Sequence, residues 1–72
     1  MKKKKRLSRF ADQAIMLDKR PAYQIAQDAD LHYTTLSRLR HGIDMVDDEQ
    51  DERIVRLSKI LRIPVSEMLE AD

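Results

Sequence analysis

One glycine, Gly42, and two prolines, Pro21 and Pro64, are the strongest backbone punctuation in a chain of 72 residues. A sheet protein of this length would need a tight turn roughly every 8–12 residues, and such turns draw heavily on glycine. The remainder is rich in Leu, Ile, Ala, Arg, Lys, Glu and Asp, which favours helices joined by short turns. The expected fold class is therefore all-α, a compact bundle of about five short helices. At this length a single apolar core is near its lower limit of self-sufficiency, so one domain is expected, aided if need be by a partner subunit. The absence of cysteine excludes a disulfide framework and a thiolate metal site as sources of stability.

Apolar spacing divides the chain. Residues 1–6, Met-Lys-Lys-Lys-Lys-Arg, form a like-charge run without an apolar anchor and predict a flexible basic arm ahead of a domain spanning 7–72. From Leu7 the pattern turns helical, with Leu7, Phe10, Ala14 and Leu17 three or four apart as the core stripe and Ile15 and Met16 widening it. Pro21 stops this helix and starts the next, whose buried stripe is Ala22, Ile25, Ala26 and Ala29. A third helix follows Leu31-His32, with Leu36 and Leu39 inward, and ends at Gly42, where a cap needs left-handed backbone. After a loop at Ile43–Val46, Asp47-Asp48-Glu49 is expected to open a fourth helix with core residues Ile54, Leu57 and Leu61. Pro64 then permits a short last helix carrying Val65, Met68 and Leu69.

The third segment carries the functional signal. At about 100° per residue, Leu36 and Leu39 share one face, while Tyr33, Thr34, Ser37, Arg38 and His41 occupy the other. Two short helices joined by a tight turn, the second apolar on one side and hydrogen-bonding on the other, suit a reader of the DNA major groove. The run Ile25-Ala26-Gln27-Asp28-Ala29-Asp30-Leu31-His32-Tyr33-Thr34-Thr35-Leu36-Ser37-Arg38-Leu39-Arg40-His41-Gly42 resembles the Cro and lambda-repressor (XRE) class of helix-turn-helix transcriptional regulators. Ile54-x-x-Leu57-x-x-x-Leu61-x-Ile63-Pro64-Val65-x-x-Met68-Leu69 is similar to that family's closing helices, so the resemblance covers roughly residues 20–70.

The resemblance implies a lambda-repressor-like domain acting as a small regulator, a repressor in sign, that binds double-stranded DNA with a recognition helix at about 33–41. It places Tyr33, Thr34 and Ser37 toward base edges, and His32, Arg38, Arg40 and His41 nearer to phosphates or flanking bases. Lys19, Gln24 and the arm residues Lys2, Lys3, Lys4, Lys5 and Arg6 are further phosphate candidates; Thr35 is expected to pack. Three positions depart from the family pattern. Asp30 replaces a turn glycine, Ala22 stands where many members carry a backbone-clamping glutamine, and Arg62 replaces another glycine. Because one recognition helix spans only a few base pairs, a symmetric homodimer on DNA is expected, with Val65, Met68 and Leu69 as its contact surface.

Formal net charge is only +1, but it is unevenly spread: residues 1–20 hold eight basic side chains against two acidic, and residues 47–72 four against eight. An enzyme is not expected, since there is neither a glycine-rich phosphate loop nor a cysteine nucleophile. No cofactor is implied, and no metal either, because His32 and His41 lie nine apart and lack the i, i+4 spacing of a helical pair. Nothing resembles a signal peptide or a membrane span, so a cytoplasmic protein of a prokaryote or phage is expected. A membrane-surface role for the basic start is disfavoured by Asp12 and Asp18 in the first helix. The main alternative is an antitoxin-like or adaptor module on the same fold, whose polar helix meets a protein partner instead of DNA.

Overall fold

The structure, a computed structural model, describes residues 4–71. Four helices, α1 (Arg9–Leu17), α2 (Ala22–Asp28), α3 (Tyr33–Arg40) and α4 (Glu52–Leu61), follow one another, the first three through connections of four residues and the last through one of eleven, and a 3-10 turn at Val65–Glu67 follows. Two short strands, β1 (Lys5–Leu7) and β2 (Leu69–Ala71), pair antiparallel and bring the two ends of the chain together. The domain is thus mostly helical, and the expectation of an all-helical chain is corrected at both ends.

The basic start is the first correction. Lys4 is exposed, but Lys5 and Arg6 are half-buried in β1, where Lys5 faces Ala71, Arg6 faces Glu70 and Leu7 faces Leu69. Lys5 also exchanges backbone hydrogen bonds with Val46, at 2.7 and 2.9 Å. These bonds satisfy backbone groups regardless of side-chain charge, which is why a lysine run could enter a strand. Lys2 and Lys3 lie outside the described residues.

Helix α1 begins at Arg9, two residues later than its apolar pattern suggests, because Ser8 caps it. The Ser8 hydroxyl accepts from the Ala11 N–H at 3.1 Å and donates to the Glu67 carbonyl at 2.6 Å, while the Ser8 N–H donates to the Met68 carbonyl at 2.9 Å. One buried serine thereby starts a helix and fastens the C-terminal turn. The face of α1 turned to the core is Ala11 and Ile15, with Ala14 at its border. The expected stripe is therefore displaced: Phe10 and Leu17 are 56% and 84% exposed.

Helix α4 starts later than Asp47-Asp48-Glu49. Val46 is held extended by its bridge to Lys5, and the Asp48 carboxylate accepts from the Gln50 N–H at 2.8 Å in a local turn. Asp51 is the cap, accepting from the Arg53 N–H at 2.9 Å and gripping the Arg53 guanidinium at 2.9 and 3.0 Å. That guanidinium holds the Asp51 carboxyl below its ordinary range. Beyond Pro64 the expected last helix is one 3-10 turn, after which Leu69 enters β2. The core joins Ile25 of α2, Leu36 and Leu39 of α3, Ile54 and Leu57 of α4, Val46 and Met68, all fully buried. No helix among the described residues is long and apolar enough to cross a membrane.

Candidate nucleic-acid interface

The turn between α2 and α3 is closed by backbone geometry. Leu31 N–H donates to the Ala26 carbonyl at 2.8 Å and Asp30 N–H to the Gln27 carbonyl at 3.0 Å, the paired bonds that end a helix through a left-handed residue. Asp30 supplies that residue with φ 57°. Arg56 of α4 reaches across to the Asp30 carbonyl at 3.2 Å and so ties the turn to the next layer. Helix α3 ends in the same way: Ile43 N–H reaches the Arg38 carbonyl at 2.9 Å, with Gly42 at φ 71°.

Between these two turns, α3 packs by Leu36 and Leu39 and turns His32, Tyr33, Thr34, Arg38 and His41 outward, with Ser37 and Thr35 half-buried at the edges. Tyr33, Thr34 and Ser37 thus share the accessible side of one short helix. Arg38 is exposed but pairs with Asp44 at 3.1 Å. Arg40, at the border of the core, is drawn inward, and its Nε donates to Asp12 Oδ1 of α1 at 2.7 Å.

The other candidates divide. Lys19 is exposed and has no hydrogen bond or ion pair with any described residue; with Arg40 and Ala22 it lines an open cleft of about 390 Å³ between the end of α1 and the start of α2. The Gln24 amide donates to Asp28 at 2.9 Å, which commits the group that would reach a phosphate. Arg6 lies under the C-terminal end of α3, its guanidinium 3.8 Å from where a Cβ on Gly42 would stand and its Nε buried without a hydrogen-bond partner. Of the three expected dimer contacts, Met68 is fully buried in its own core and unavailable to a partner, whereas Val65 and Leu69 are half-buried against that core.

Two residues were not singled out from sequence. Arg20 joins the Asp18 carboxylate at 2.9 and 3.0 Å, Asp28 at 3.0 Å and the Ile60 carbonyl at 3.2 Å, locking the connection between α1 and α2 to α4. The Arg20 side chain, and then its backbone N–H, hold the Asp18 carboxyl down at about 2. Tyr23 of α2 is 61% exposed, and its helical position away from Ile25 and Ala26 was the available signal. Among the described residues no group of three or more His, Cys, Asp or Glu side chains could hold a metal ion. Comparison with protein-family models, curated proteins and solved structures returns no match.

Proposed function

We propose that this chain is a sequence-specific duplex-DNA-binding regulator of the helix-turn-helix type, resembling the Cro and lambda-repressor class, that lays α3 in the major groove. The observation carrying this reading is the two-sided α3. Its apolar side is fully sealed by Leu36 and Leu39, and its hydrogen-bonding side, Tyr33, Thr34, Ser37, Arg38 and His41, stands out after a tight turn from α2. Thr34 and Ser37 can donate to or accept from base edges, and the Thr34 methyl can meet a thymine methyl. Lys19 and the N-terminal lysines supply phosphate attraction, joined by the exposed Arg38 when a phosphate displaces its half-buried partner Asp44. Arg40 is a brace for α3 and contributes charge without direct contact. Occupied operator DNA would exclude transcription, which makes the regulator a repressor working in the cytoplasm, as a symmetric pair on inverted half-sites about 34–36 Å apart.

Selection of bound sites from a random duplex pool tests the reading, with the winning site then titrated at several salt concentrations. An enriched inverted repeat and a linear loss of log affinity with log salt are expected, at a slope of about −0.9 per phosphate contacted. No enrichment, together with weak binding that disappears when the lysine run is neutralised, would refute it. One observation favours the second reading, an antitoxin-like or adaptor module: Arg20, Arg38 and Arg40 are all engaged by carboxylates, which tempers the cationic field. In that case a protein partner should bind the α3 face with little dependence on salt.

A further inference from the structure

The open cleft between the end of α1 and the start of α2 is cationic, and its charge is only partly neutralised. Lys19, Arg20 and Arg40 line it against a single carboxylate, Asp18. Asp18 is gripped by Arg20 at 2.9 and 3.0 Å, so these two groups satisfy each other. Lys19 is exposed and bonds to no described residue. Arg40 is the unusual member. Its side chain is only 22% exposed and its Nε is held by Asp12 at 2.7 Å, yet neither terminal nitrogen has a hydrogen-bond partner among the described residues. Because the guanidinium is planar, the Asp12 bond orients the whole group and leaves its outer two nitrogens as a fixed fork of donors.

We propose that this cleft binds the phosphate group of a small free phosphate monoester, with the terminal nitrogens of Arg40 as the fixed fork and the Lys19 ammonium as a second, mobile charge. Two uncommitted cationic groups favour a dianion. A monoester carries nearly two charges at neutral pH and three acceptor oxygens, enough for both partners. A phosphodiester of the DNA backbone has one charge and a sugar on either side, which keeps it from the recessed Arg40. Met16, Pro21 and Ala22 give the cleft an apolar wall for the organic part, and its volume of about 390 Å³ is that of a small-molecule site. Lys19 is also one of the groups proposed to attract duplex phosphates, so an occupied cleft would loosen DNA. That consequence rests on the DNA-binding reading, whereas the site itself does not.

Nuclear magnetic resonance titration of the full chain, without DNA and in phosphate-free buffer of low salt, tests the site separately from the DNA-binding reading. Methyl phosphate should produce saturable shifts confined to the amides of residues 18–22 and the Arg40 side chain. Phenyl phosphate should give the same pattern at higher affinity, because its ring meets the apolar wall. Dimethyl phosphate, which has the single charge of a DNA diester, should bind at least fivefold more weakly than methyl phosphate. Lys19→Gln, at an exposed position without partners, should keep the fold and weaken methyl phosphate at least fivefold. Arg40→Lys, which retains a charge beside Asp12 but has no fork, should do the same. Arg9→Gln, which removes an exposed cation at the other end of α1, should change nothing. Shifts that never saturate, or a loss that Arg9→Gln shares with Lys19→Gln, would reduce the effect to general attraction of anions and overturn the proposal. Dimethyl phosphate binding as tightly as methyl phosphate would assign the cleft to a backbone phosphate and overturn it too.

Discussion

Arg40 Nε donates to Asp12 Oδ1 at 2.7 Å, joining the last turn of α3 to the first turn of α1. The two side chains are 22% and 34% exposed, so the pair is better shielded than an ordinary surface ion pair. It braces the C-terminal end of α3 against α1, and it takes from the residues proposed to face DNA an arginine whose type alone would have kept it there.

A double-mutant cycle on Asp12→Ala and Arg40→Ala should return a coupling of about 1 kcal/mol, near the upper end for exposed pairs. Urea denaturation supplies the four stabilities. Coupling indistinguishable from zero would mean that the bond does not brace α3.

Under the proposed function, Thr34→Ala and Ser37→Ala should each weaken binding to a selected site by about 1–3 kcal/mol and relax its sequence preference. Neither residue belongs to the buried core, so melting temperature should hold. Unchanged site preference in both variants would remove this face from base readout.

Arg62 ends α4 at φ 58° with a side chain, in a conformation that glycine adopts without steric cost. Arg62→Gly should stabilise the domain by about 0.5–1 kcal/mol, which at this size raises the melting temperature by roughly 2–8 °C. Gly42→Ala should do the reverse, losing about 1 kcal/mol, because the added methyl meets only Arg6 at an ordinary 3.8 Å and the cost is that of φ 71° alone. Calorimetry of the two variants decides both.

The Arg20 guanidinium and N–H hold the Asp18 carboxyl at about 2, below its ordinary 3.8. A carboxyl depressed in the folded state contributes stability that is fully present above its unfolded value and is lost as pH falls through the folded one. The stability difference between wild type and Asp18→Asn should therefore be constant above about pH 5 and shrink between pH 4 and 2. Melting curves across that range check it, and a difference unchanged down to pH 2 would show that Asp18 acts without its charge.

What the amino-acid order alone determined was local. Pro21 and Pro64 mark boundaries because a ring without an N–H acts on its own turn, and Gly42 marks a helix end because its freedom is intrinsic. The two faces of α3 were legible for a similar reason: one apolar pair, Leu36 and Leu39, offered only one side to bury. On α1 two stripes compete, Phe10–Ala14–Leu17 and Ala11–Ile15, both at helical spacing. Periodicity favours the bulkier, but the close approach of neighbouring elements has room only for the smaller. The strands were hidden for another reason, since Lys5 and Ala71 pair across nearly the whole chain and neither segment has an alternating pattern of its own. Tertiary structure likewise committed Arg20 and Arg40 to carboxylates and Met68 to the core, because an ion pair or a core position is defined by what lies opposite in space, and neighbours in sequence do not specify it.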